Sequence, residues 1–101
     1  MVKEPVERLK EKVLKENLWI FLFKLLAQQD EYAYELRKKI NREFGFWTGR
    51  VTGYRVLYLL NKGGYVESYS KGRRKYYKLT DKGQEQLEKA KNFLEKIHKS
   101  L

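Results

Sequence analysis

The chain has 101 residues, 42% of them hydrophobic, 15% aromatic and 36% charged, which bounds it to one globular domain with a single modest core. Its 23 lysines and arginines outnumber 13 aspartates and glutamates for a net charge of +10, an excess that points to a polyanionic partner, nucleic acid before an anionic membrane surface. Cysteine is absent, so disulfides and thiolate metal sites are excluded; the charged start at Met1-Val2-Lys3-Glu4-Pro5 lacks the apolar centre of a signal peptide, and a cytoplasmic location is the expectation.

Pro5 sits where a first helix would begin, since its missing N–H costs nothing there. Val2, Val6, Leu9 and Val13 then recur at spacings of four, three and four, a seam narrower than the stripe of a helix packed on a globular core. Asn17 is placed to cap a second helix, Leu18 to about Gln29, whose apolar run Leu18–Ala27 is half the length of a membrane span and reads as a core helix. Asp30 is placed to cap a third, Glu31 to about Phe44, with Ala33, Leu36, Ile40 and Phe44 on one face and Arg37, Lys38, Lys39 and Arg42 on others; Gly45 ends it. A short connector, Phe46-Trp47-Thr48-Gly49-Arg50, leads to a fourth helix, about Val51 to Lys62, with Gly53, Val56, Leu57 and Leu60 inward and Gly63-Gly64 as its stop.

Two β-prone runs follow, Tyr65–Ser70 and Lys75–Leu79, around a turn at Lys71-Gly72-Arg73-Arg74 in which Gly72 supplies the backbone freedom. Tyr76 and Tyr77 must point to opposite faces, one to the core and one outward. Thr80 caps the last helix, Asp81 to the end, where Leu87, Ala90, Leu94, Ile97 and Leu101 keep a three-four-three-four seam. The expected architecture is mainly α with a small β-hairpin: an N-terminal helix (1–16), a winged helix-turn-helix (17–80) and a C-terminal dimerisation helix (81–101).

In that architecture the helix before the hairpin enters the major groove, and the hairpin, or wing, reaches phosphates or the neighbouring minor groove. The candidate base-reading residues are Arg50, Thr52, Tyr54, Arg55 and Tyr58, with Arg55 suited to a guanine and Thr52 to a thymine methyl or a phosphate. Arg50 and Arg55 have simple solvation as an alternative, and three neighbours have a packing one. Tyr54 and Tyr58 lie four apart and fit packing on the hairpin as well, and Gly53 fits either close backbone approach or packing against an aromatic. Leu59 has no place in the core of a monomer. Lys71, Arg73, Arg74 and Lys75 form a turn of one sign, suited to phosphate contact, with Arg73 or Arg74 also able to enter a narrow minor groove. Lys38, Lys39 and Arg42 are further candidates for the DNA backbone.

Catalysis has little support. His98 is the only histidine and lies between lysines, and Glu85, Glu88 and Glu95 each have a lysine within four residues and read as surface pairs. No phosphate loop, metal cluster or partnered nucleophile occurs in the sequence, so no cofactor is expected.

Tyr34-Glu35-Leu36, Thr52-x-Tyr54 before Leu57-x-x-Leu60, Gly64-Tyr65-Val66 and Gly72-Arg73-Arg74-Lys75-Tyr76-Tyr77-Lys78-Leu79-Thr80-x-x-Gly83 resemble the PadR family of winged-helix transcriptional regulators, over roughly Asn17 to Leu101. The chain departs from that pattern at Tyr32-Ala33, where the family often has His-Gly, and at Val51-Thr52-Gly53-Tyr54-Arg55, where it usually has Gly-Thr-Leu-Tyr-Pro; Arg55 in place of proline means that an operator is not carried over. The resemblance implies double-stranded DNA as partner, regulation as a repressor, and a homodimer joined through the last helix. The N-terminal seam (Val6, Leu9, Val13) would extend that interface. It also implies a small aromatic effector near the interface, for which the sequence itself shows no pocket, since Trp19, Phe23, Trp47 and Phe93 are core candidates first. The competing readings are a winged-helix protein-interaction module and a nucleic-acid binder without sequence preference.

Overall fold

A computed structural model describes residues 4–46 and 48–101, so Val2 of the first seam and Trp47 lie outside the described residues. The elements are α1 (Pro5–Glu16), α2 (Leu18–Gln28), β1 (Glu31–Tyr32), α3 (Ala33–Phe44), α4 (Arg50–Lys62), β2 (Val66–Lys71), β3 (Arg74–Leu79) and α5 (Asp81–Ser100). The strands form an antiparallel sheet in the order β1-β3-β2.

Apolar on most sides, α2 becomes the centre of the molecule: Leu18, Leu22, Phe23, Leu25 and Leu26 are buried. Around it gather Leu36 and Ile40 of α3, Leu57 of α4, Val66 and Tyr77 of the sheet and Leu87 of α5. Removing these side chains from water drives the fold, at about 1.5–3 kcal/mol for each large one fully buried. Pro5 opens α1 as expected, but α1 buries none of its residues.

Two caps differ from expectation. Asn17 precedes α2 without a side-chain cap bond. Asp30 does not cap α3, because Glu31 and Tyr32 leave the helix to pair with Tyr77 and Tyr76 of β3. Its carboxylate instead accepts a hydrogen bond from the Tyr69 hydroxyl at 2.6 Å. The strand β1 is too short to show a period of its own; its partner strand creates it. Glu31 is buried there, its carboxylate held by the Lys39 ammonium at 2.7 Å and by the Gln29 amide.

The junction of wing and last helix follows the expected chemistry. The Thr80 hydroxyl oxygen accepts from the Gly83 N–H at 3.1 Å and sits 2.7 Å from the Gly64 carbonyl, so one side chain caps α5 and ties down the loop after α4. Gly83 packs so tightly on the Tyr65 carbonyl and the Leu79 side chain that a Cβ there would overlap both.

Candidate nucleic-acid interface

Three anchors hold α4. Leu57 is buried in the core, Gly53 lies against Thr48 and the Arg37 stem, and the Asn61 amide donates to Ser68 Oγ of β2 at 3.0 Å. Arg37 Nε donates to the Thr48 carbonyl at 3.1 Å, fixing the connector that delivers α4. Gly53 is therefore a packing position, against Thr48 and Arg37 rather than an aromatic.

What remains is an outward face. Arg50, Thr52, Tyr54, Arg55 and Tyr58, all named from the sequence, are exposed on α4. Tyr58 is 63% exposed, which removes the alternative of packing on the hairpin. Tyr54 is also exposed; burial pushes the Tyr77 phenol above its usual pKa, and Tyr54 adds to the shift. Sequence reasoning missed Val51 and Lys62, which share a line with Arg55 and Tyr58 at spacings of four, three and four. That spacing was the available signal. Val51 is 80% exposed, and Leu59 is exposed as expected. The first turn of α4 carries no acidic residue and no side-chain cap, leaving its N–H groups and positive dipole end unneutralised.

The wing is tighter than expected. Lys71 and Arg74 are paired strand ends, leaving a two-residue turn at Gly72 and Arg73. Gly72 has φ 64°, and no non-glycine residue among those described has positive φ, the pattern of a type II′ turn. The four cations therefore divide. The register puts Lys75 on the face of Tyr77, its ammonium 5.8 Å from that ring, on the side that α4 and its Asn61–Ser68 bond occupy. Lys71 and Arg74 take the opposite face, over Tyr76 at 5.8 Å and over Tyr32 at 4.4 Å respectively. Arg73 alone stands at the tip.

That outer face carries a row of rings set by the register, Tyr69 stacked on Tyr76 at 5.7 Å and Tyr76 edge-on to Tyr32 at 5.5 Å. Tyr77 is the core member of the Tyr76–Tyr77 pair, and Tyr76 is half-buried instead of exposed. The Asp30 hydrogen bond pushes the Tyr69 phenol up to about 12.

On α3, Lys38 lies 3.7 Å from Glu35 and over the Tyr34 ring, and Arg42 is exposed. Lys39 is committed to buried Glu31, so it is withdrawn from the set of backbone contacts.

The two seams meet at an open groove of about 540 Å³ between α1, α2 and α5, bordered by Val13, Trp19, Ile20, Ala90, Phe93 and Leu94. Val6, Leu9, Val13, Leu94, Ile97 and Leu101 are exposed. Leu87, at 3% exposed, belongs to the core of its own chain, so the outward seam of α5 begins at Ala90. Phe93 is exposed, not a core residue, because it lies beyond the half of α5 that packs on α2. Glu85, Glu88 and Glu95 pair with Lys89, Lys91 and Lys99, as their spacing indicates. Among the described residues no group of three or more His, Cys, Asp or Glu is placed to hold a metal, and no helix is long and apolar enough to cross a membrane.

The transcriptional regulator PadR-like family model matches residues 22–89. The chain is 32% identical to a PadR-like transcriptional regulator from Bacillus cereus, with a TM-score of 0.77 over 88% of this chain and 91% of that one. It is 26% identical to a transcriptional regulator from Clostridium thermocellum, with a TM-score of 0.79 over 88% and 93%. A winged-helix DNA-binding protein from STIV, 21% identical, shares the fold with a TM-score of 0.72 over 82% and 91%. A search of curated proteins found no match.

Proposed function

The chain belongs to the PadR-like family of winged-helix transcriptional regulators, DNA-binding proteins without enzymatic activity, and from that premise we propose that it is a homodimeric, sequence-specific repressor acting by occlusion of its operator. The observation that carries the DNA-facing part is the juxtaposition of α4 and the wing. The outward face of α4 holds Arg50, Thr52, Tyr54, Arg55 and Tyr58, and the Asn61–Ser68 hydrogen bond ties α4 to the wing strand β2. In this reading α4 lies in the major groove, Arg55 pairs with a guanine, and Lys71, Arg73, Arg74 and Lys75 hold phosphates or enter the minor groove, with Lys38 and Arg42 adding backbone contacts.

The dimer is built from what the monomer leaves open. Ala90, Leu94 and Ile97 of α5 and Leu101 just beyond it, with Val6, Leu9 and Val13 of α1, face no core of their own. Two copies would cover these seams, the α1 of one on the α5 of the other, and would set two α4 helices about 34 Å apart, one turn of duplex.

The test is duplex binding across a salt series. A dimer neutralising about eight phosphates should lose affinity with a log–log slope of about −7. No binding at low salt favours the protein-interaction module and sinks the DNA reading. A preference below about tenfold for the chain's own upstream region over random duplex favours a binder without sequence preference. Sedimentation checks the assembly: Leu94→Asp with Ile97→Asp should be monomeric, and a persistent dimer would relocate the interface.

A further inference from the structure

The outward face of α4 is unusually apolar for a surface meant to meet nucleic acid. Val51, Tyr54, Tyr58 and Leu59 are all exposed on it. Single exposed apolar side chains are ordinary, but these four share one short helix, and Arg55 and Lys62 lie among them. Those interleaved cations argue against burial under an apolar protein surface, where they would lose hydration without a partner. They suit a surface that is itself anionic and carries small apolar groups.

The groove offers one such group. Asparagine and glutamine read adenine, and carboxylates accept from cytosine. The sole Asn of α4 is Asn61, turned to Ser68 of the sheet, and the helix holds no Gln, Asp or Glu. Among groove features, the C5-methyl of thymine is what an aliphatic side chain can recognise.

We infer that Val51 is a specificity-determining residue that reads a thymine methyl beside the guanine addressed by Arg55. The inference rests on the placement of α4 in the major groove and goes beyond it by naming the base. Val51 and Arg55 are one turn apart on the same line of the helix, about 6 Å of rise, which corresponds to about two base steps of 3.4 Å.

The test uses the full chain and duplexes enriched from a random pool. Each enriched half-site should hold thymine within about two base steps of guanine. Replacing that thymine by uracil deletes one methyl and nothing else, and wild-type binding should weaken about fourfold, the worth of one such group withdrawn from water. Val51→Ser should bind the thymine and uracil duplexes alike with a nearly unchanged melting temperature, since Val51 is 80% exposed. Enriched sites without that thymine, equal wild-type binding to both duplexes, or a methyl preference that survives in Val51→Ser would each overturn the inference and leave the DNA reading intact. Absence of salt-dependent binding to any duplex would remove both.

Discussion

The wing and α4 are tied together by the Asn61–Ser68 hydrogen bond, yet their exposed surfaces differ in kind. The wing concentrates Lys71, Arg73, Arg74 and Lys75 around a two-residue turn, whereas α4 sets Arg55 among Val51, Tyr54, Tyr58 and Leu59. Coulomb attraction acts over a Debye length of about 8 Å at physiological salt and is indifferent to which base is near. Contact with a base edge requires fit within a few tenths of an ångström and a helix that does not move. The proposed assignment fits this physics: four cations cluster on the hairpin, and the short-range contacts fall to a helix held by Leu57, Gly53 and Asn61. In the proposed reading, the comparison assigns affinity and sequence choice to separate elements of one small domain.

The largest expected effect erases the distinction. Gly83→Ala forces a Cβ into the Tyr65 carbonyl and Leu79, beneath both elements, and should cost about 3 kcal/mol in urea denaturation. Both kinds of binding should fall together; a loss confined to the wing would mean that the hairpin folds as a separate unit.

Next comes the wing itself. Arg73→Ala with Arg74→Ala should weaken every duplex by about 2 kcal/mol and reduce the salt slope by about two per protomer. Arg55→Ala should cost about 1.5 kcal/mol on the preferred duplex and relax choice at one base position. If the wing pair changes base preference, or Arg55→Ala does not, the division of labour drawn above fails.

The smallest effect concerns the outer wing face. Tyr69 donates its hydroxyl hydrogen to Asp30, raising its phenol pKa from 10.0 to about 12. A raised folded-state pKa means that this contribution is fully present below pH 10 and is lost as pH climbs towards 12. Melting of the wild type and Tyr69→Phe across that window should converge at the alkaline end. A constant gap would show that the bond does not tie the wing to the segment before β1.

Much of this was legible because it is local. Thr80 as a cap, Gly45 as a helix stop and Gly72 in the turn are each chosen by the backbone within three or four residues, so the sequence displays them directly. The exposed positions of α4 follow from helical spacing, which also places Val51 on the line of Arg55. Three departures share one cause. The strand β1, the Glu31–Lys39 pair and the burial of Leu87 depend on what another element brings to the same place.

The sequence by itself determined the order of the elements, the composition of the wing and the cation at the centre of α4, since periodicity and turn chemistry act along the chain. Tertiary structure alone decided which face each cation joined. Strand register, set by the pairing of Lys71 with Arg74, sent Lys75 towards α4 and the other two to the ring row, because successive side chains on a strand point oppositely. The same packing withdrew Lys39 and Leu87 from the surface and left Val51 on it, since burial is fixed by neighbours distant in sequence.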